Sequence, residues 1–379
     1  MVKRIIHQIS LSEIGGVQRS FSLYLAHALE KSDFNHLVCS MHDFIENYNN
    51  VKEHHTNISS SLLNKIKFIY YIYSKNYLIH FYNNLGSHSI NRLLKFVPSS
   101  NIIFHERGTA WNANDRMKEI YQHNASRARI ILANSNASKL MLTKRFGIDE
   151  SKIKVIYNGF LNKNYKPVSQ EHERYSKKFS VGYIGRLDTP KGVHILIKSA
   201  KNLPDYDFFI AGTGVWKNTL KELAKGYENI YFLGSIKEPL KFISKMDTII
   251  VPSIREPLGN TVIEAGYCKK PVIASNIDGI AEIIENGVSG ILIDPENDLS
   301  FNTLPKDAAP IPKVVINPKT QELQKPKEID HIKLCESIVK LEVNPFLRKN
   351  YGDKLHETVK EKFNIEVYFE KLENIYKKF

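Results

Sequence analysis

The chain alternates short apolar runs, rich in Ile, Val, Phe and Tyr, with longer stretches whose apolar residues recur every three or four positions. The short runs fall at 3–9, 78–82, 101–104 and 130–133, and again at 181–184, 208–211, 230–235, 248–251, 272–274 and 291–293. After the first of them, Val17, Phe21, Tyr24, Leu25, Ala28 and Leu29 keep helical spacing. Strand, helix, strand in regular alternation predicts an α/β protein built on parallel sheets. The two sets of runs are separated by a polar, charged stretch at 162–178 without apolar period, so two domains are expected with a hinge near 160–178. Residues 62–73 are the most apolar and aromatic helical stretch. It is expected to pack on the sheet, because a strand follows at once, with an interfacial helix on lipid headgroups as the alternative.

The 379 residues suffice for two cores, and 42% apolar with 25% charged is an ordinary globular composition. No apolar run nears the roughly 20 residues of a membrane span, and no secretory apolar region is expected, because charged Lys3 and Arg4 lead straight into a strand. A cytoplasmic protein is therefore expected. Cys39, Cys268 and Cys335 are scattered and odd in number, which fits a reducing compartment and no structural zinc. The net charge of +13 is uneven: residues 1–166 hold 22 Lys and Arg against 11 Asp and Glu, and the remainder 31 against 29. The first half would be drawn to polyphosphates or to an anionic membrane face. No nucleic-acid-binding motif accompanies that charge.

Candidate chemistry gathers at strand ends, where open α/β sheets bind ligands. Residues 248–265 read as strand, punctuated loop and helix. Asn260 is expected to cap that helix, with phosphate received near Leu258, Gly259, Asn260 and Thr261. Glu264, four residues past Asn260, would reach a ribose, and Glu256 would stand beside a sugar carried on the phosphate. Gly15-Gly16 lets the backbone approach a diphosphate at a helix start. His105-Glu106-Arg107 ends another strand, and Glu106 and Arg107 serve an acceptor or pair with each other. In 185–192, Thr189 is the expected cap and Pro190 the first helical residue, so that Lys191 and Arg186 converge as two cations on one anion. Gly212 lies on a loop lining the nucleotide pocket. The Asp205-Tyr206-Asp207 triplet has a metal-binding spelling but precedes its strand, at the wrong edge, so no metal site is expected.

The glutamate pair with Pro257-Leu258-Gly259 between, the Gly-Gly loop, His105 and the Arg186–Lys191 pair, in that order, resemble the retaining GT-B glycosyltransferases of family four (glycosyl transferases group 1). The resemblance implies two Rossmann-like domains facing across a cleft, 1–166 on the acceptor side and 167–364 on the donor side. A C-terminal helix, 365–379, would cross back to the first domain through Val367, Phe369, Leu372, Ile375 and Tyr376. It implies Arg186 and Lys191 on the donor diphosphate, His105 and Glu256 on the donor sugar, Glu264 on the ribose and the base seated at the loop of Ile236. Residues 301–329 depart from the pattern and are read as a surface insertion, a hairpin around 318–320.

The function so implied is metal-independent hexosyl transfer from a nucleoside-diphosphate sugar, UDP in preference to GDP, with no other cofactor. The acceptor would be a saccharide or lipid-linked saccharide in polysaccharide or lipopolysaccharide biosynthesis. The protein would be peripheral on the inner face of the cell membrane at most. A nucleotide-sugar epimerase on the same fold and a non-catalytic partner subunit are the rival readings.

Overall fold

Every apolar run named above becomes a strand of a parallel sheet in the computed structural model, which describes residues 4–12, 15–95, 101–160, 175–301 and 308–379. The chain divides into two units, Met1–Leu161 with Phe363–Phe379, and Asn162–Lys362. Residues 161–174 of the expected hinge fall outside the described residues, as do Lys3 and part of the 301–329 segment.

The first unit holds β1 (Arg4–Gln8), α1 (Gly16–Lys31), β2 (Asn35–Ser40), β3 (His55–Asn57), α2 (Leu62–Tyr73), β4 (Tyr77–Tyr82), α3 (His88–Leu94), β5 (Ile102–Glu106), α4 (Lys118–Arg127), β6 (Ile130–Ala133), α5 (Asn136–Leu140) and β7 (Ile153–Val155). Its sheet runs β3-β2-β1-β4-β5-β6-β7, and every pairing is parallel. β2, β3 and β7 are strands that the apolar pattern did not single out: polar Asn35, His36 and Ser40 dilute β2, and the other two are three residues long.

The last helix, Ile365–Tyr376, belongs to this unit and packs on α1. Asn364 caps it, its side chain accepting from Glu366 N at 2.8 Å. Its buried face is Ile365, Tyr368, Leu372, Ile375 and Tyr376, rotated from the expected one, while Val367 and Phe369 are half-buried. Those five residues share a core with Phe21, Tyr24 and Leu25 of α1. Beneath them lies a layer of buried histidines. His7 Nε2 is 2.9 Å from His36 Nδ1, His80 Nδ1 is 2.7 Å from the Tyr376 hydroxyl, and the His80 and His105 rings stack at 5.4 Å.

Helix α2 departs from its expectation. Ser61 caps it, accepting from Asn64 N, but only Phe68, Tyr71 and Ile72 are buried. The rest of its apolar side chains face solvent, because the interior side of this short helix is a narrow stripe.

The second unit holds β8 (Ser180–Ile184), α6 (Val193–Lys201), β9 (Asp207–Ala211), α7 (Lys217–Leu223), β10 (Ile230–Gly234), α8 (Pro239–Ser244), β11 (Thr248–Val251), α9 (Asn260–Tyr267), β12 (Val272–Ser275) and β13 (Ile291–Ile293). There follow β14 (Pro295–Asn297), β15 (Val315–Ile316), β16 (Leu323–Gln324), β17 (Glu328–Ile329), α10 (His331–Val343) and α11 (Pro345–Lys362), so that the terminal helix described above is α12. The main sheet is β10-β9-β8-β11-β12-β13, again parallel. β8 and β11 lie at its middle, and Gly182 is there because a Cβ would stand 2.4 Å from Met246 Cγ. β15 and β16 form an antiparallel hairpin close to the expected place, but Val315 and Ile316 are buried, so this part of the segment is not a surface feature.

Candidate functional site

The second unit brings ten of the sequence-derived residues to the edge where β8, β9, β10 and β11 end. Arg186 and Lys191 follow β8, Gly212 follows β9, Ile236 follows β10, and the loop from β11 to α9 carries Glu256, Leu258 and Gly259. Asn260, Thr261 and Glu264 lie on α9 itself. Asp207 is the first residue of β9, at the end of the strand opposite that edge.

Backbone geometry explains the glycines. Gly212 has φ +138°, and a Cβ there would lie 1.8 Å from the Gly185 carbonyl oxygen, so the loops after β8 and β9 touch because Gly212 carries no side chain. The α9 helix opens differently from its expectation. Gly259, at φ +110°, is the cap and Asn260 the first helical residue, since only a left-handed residue turns this loop into the helix. The Thr261 hydroxyl donates to the Ile184 carbonyl at 3.3 Å and fastens the helix mouth to the end of β8. An N-terminus placed so carries the positive end of the helix dipole. Glu264 is buried one turn further on.

The charged pair is corrected. Pro190 lies in a separate turn, Thr189–Lys191, introduced by Asp188. Gly192 then turns left-handed before α6 begins. Arg186 and Lys191 do not converge as two bare cations. The Lys191 ammonium donates to Glu256 Oε2 at 2.6 Å, and Arg186, 66% exposed, is 3.1 Å from Asp188 Oδ2. Glu256 Oε2 also accepts from the Ser253 hydroxyl at 3.2 Å. A lysine whose counter-ion is a neighbouring loop's carboxylate is preset in place, and an incoming anion competes with a carboxylate rather than with bulk water.

Asp278, absent from the sequence reading, fixes Glu256. Its Oδ2 accepts from Glu256 N at 2.9 Å, its Oδ1 from Ile316 N at 2.7 Å, and its own N donates to the Ile316 carbonyl at 3.0 Å. The aspartate has φ +46° and is fully buried. It thus joins the loop of Glu256 to the hairpin. The Thr189 hydroxyl makes a second tie, to the Ala309 carbonyl. The only local signal in the sequence was the Asp278-Gly279 pair after β12, and the partners lie 22 and 38 residues away.

The first unit carries Gly15, Gly16 and His105. Gly15 caps α1 in extended backbone, and Gly16 opens the helix. His105 is the next-to-last residue of β5 and only 1% exposed, and neither ring nitrogen has a hydrogen-bond partner; burial, then the Arg107 charge, hold its pKa well below the ordinary histidine value. Glu106 and Arg107 do not pair with each other; each has its own partners. Glu106 accepts from Gly108 N, Ala110 N and the Thr109 hydroxyl, with burial raising its pKa. Arg107 donates through Nη2 to Asn158 Oδ1 at 2.7 Å and leaves Nε and Nη1 unpartnered. Among the described residues no group of three His, Cys, Asp or Glu side chains is arranged to hold a metal ion.

The chain resembles known proteins in sequence and in fold. Residues 165–306 match the family model described as Glycosyl transferases group 1. The chain is 23% identical over 270 residues to the capsular polysaccharide biosynthesis glycosyltransferase CapM of Staphylococcus aureus, covering 69% of this chain and 59% of that one. It is 28% identical over 148 residues to the O-antigen biosynthesis glycosyltransferase WclY of Escherichia coli, 36% of this chain and 41% of that one. The aligned parts span less than two thirds of either relative. Among solved structures, Anabaena Alr3699/HepE in complex with UDP-glucose superposes with a TM-score of 0.73 at 19% identity, covering 99% of this chain and 100% of that one. At that identity the likeness shows the fold, the GT-B pairing of two Rossmann-like parallel-sheet units.

Proposed function

We propose that this chain, whose residues 165–306 match the model of the glycosyl transferases group 1 family, is a glycosyltransferase using a nucleoside-diphosphate sugar. The observation that carries the reading is the Lys191–Glu256 pair, set beside Arg186 and the mouth of α9 at the ligand edge of a Rossmann-like sheet. As the glycosidic bond to the diphosphate breaks, negative charge grows on the leaving oxygen. Arg186, Lys191 and the α9 N-terminus would stabilise it, each such donor contributing about 3 kcal/mol at the transition state. Fixed cations in this role make the transfer metal-independent. We assign Glu264 to the ribose, Glu256 to the sugar, Leu258, Gly259, Asn260 and Thr261 to the diphosphate, and Gly212 and Ile236 to the nucleotide pocket.

In the first unit, Gly15 and Gly16 supply backbone at the start of α1, and His105 acts from the strand end close to Arg107, whose Nε and Nη1 have no hydrogen-bond partner. UDP is the favoured donor nucleotide, since HepE is described in complex with UDP-glucose. A saccharide or lipid-linked acceptor, met at an anionic membrane face, follows from the kinship with capsule and O-antigen transferases and the excess positive charge of residues 1–166. The transfer retains the anomeric configuration, with the donor phosphate oxygen taking the acceptor proton.

Calorimetry against UDP-, GDP- and ADP-sugars, followed by NMR of the product anomer, tests this. Binding of a UDP-sugar and an α-linked product from an α-linked donor are expected. Silence towards every donor, or conversion of the sugar nucleotide with no acceptor present, would overturn the reading.

A further inference from the structure

Helix α2 presents an uncovered apolar face. Leu62, Leu63, Ile66, Ile69, Tyr70 and Tyr73 are between 42% and 77% exposed, while Phe68, Tyr71 and Ile72 face the unit. At about 100° per residue the six exposed side chains fall within one arc of roughly 120°, and the three buried ones lie on the opposite side. Lys65 falls on one border of the arc and Lys67 on the other. The wider setting is cationic: from His54 to His105 the chain has no Asp or Glu, yet carries Lys65, Lys67, Lys75, Arg92 and Lys95.

Single exposed apolar residues are ordinary, but six on one side of a short helix are a contact surface. A second copy docking through the same face would place Lys65 and Lys67 against their own equivalents, with no acid on α2 to meet them. A membrane span is excluded by length, since twelve residues of helix reach about 18 Å against a hydrocarbon core of roughly 30 Å. An anionic bilayer surface meets both requirements: the apolar arc sinks among the acyl chains, and the bordering lysines extend their ammonium groups to the headgroups. We propose that α2 is the element by which this protein docks, lying flat, on an anionic lipid surface. The proposal deepens the membrane part of the function given above and rests on it, but its test needs neither donor nor acceptor, so the two fail separately.

Co-sedimentation with phosphatidylcholine vesicles, with and without phosphatidylglycerol, is the test. The wild-type chain is expected to pellet with the anionic vesicles and to be released by salt. Leu63→Ser with Ile66→Ser should weaken binding at least tenfold. Lys65→Gln with Lys67→Gln should weaken it about fivefold per lysine. Both variants change surface positions, so their melting temperatures and UDP binding should stay at the wild-type values. Wild-type protein left in the supernatant with both vesicle types, unaltered binding by the Ser pair, or a dimer in sedimentation that the Ser pair dissociates would each overturn the proposal.

Discussion

The Lys191 ammonium stands 2.6 Å from Glu256 Oε2, joining two loops whose residues are 65 positions apart. If that contact presets the cation for a leaving diphosphate, Lys191→Ala should lower the turnover number by about 10² to 10³. Glu256→Gln keeps the shape but removes the counter-ion and should also slow transfer. Steady-state kinetics with saturating donor would show it, and turnover unchanged in Lys191→Ala would count against the assignment.

Asp278 gives a prediction of a different kind. Asp278→Ala leaves the N–H groups of Glu256 and Ile316 without their acceptor, each costing about 1–3 kcal/mol. The variant should melt lower, and its KM for donor should rise more than its turnover falls, because the change loosens the loop rather than removing a charged group. Thermal melts and initial rates measured together would separate this from a loss confined to stability.

At Gly212 a side chain has no room. The Cβ of Gly212→Ala would meet the Gly185 carbonyl oxygen, at a backbone angle that alanine rarely adopts. A loss of at least 1–3 kcal/mol is expected from the backbone conformation alone. Chemical unfolding would measure it, with donor affinity falling in parallel as the loops after β8 and β9 part.

The histidine layer of the first unit sets a pH dependence. Burial holds His7, His80 and His105 well below the ordinary value of 6.5 and lowers His36 to about 4. Unfolded, these groups take up protons near pH 6.5, whereas folded they do not, so the unfolded chain binds more protons and stability rises with pH. The stability is fully present above about pH 6.5 and declines as the pH drops towards the folded-state values, by roughly 1.4 kcal/mol per pH unit for each proton. Urea unfolding of the full chain at pH 7.5 and pH 5 should show the decline, and His36→Leu should make it shallower.

How far the sequence could be read depended on the range of the forces involved. The ten apolar runs became strands because β-branched clusters report local burial, whereas β3 and β7, three residues each, give too little pattern to detect. Glu264 was placed one turn past Asn260 by helix periodicity, and α9 does carry both. The carboxylate partner of Lys191 could not be seen, since nothing in either segment encodes a contact across 65 residues. Asp278 stayed hidden for the same reason. On α2 the composition was read correctly and the burial was not: an apolar helix says that some surface will cover it, and not that the surface belongs to the same chain.

The membership of α12 in the first unit bears on how the protein is made. Ile365, Tyr368, Leu372, Ile375 and Tyr376 complete a core whose other walls leave the ribosome some two hundred residues earlier. At about 5–20 residues per second the nascent chain spends on the order of 10–40 s with that core open to water. During synthesis the amino-terminal unit is therefore the last to close, and the window in which a chaperone can hold it is set by the rate of translation.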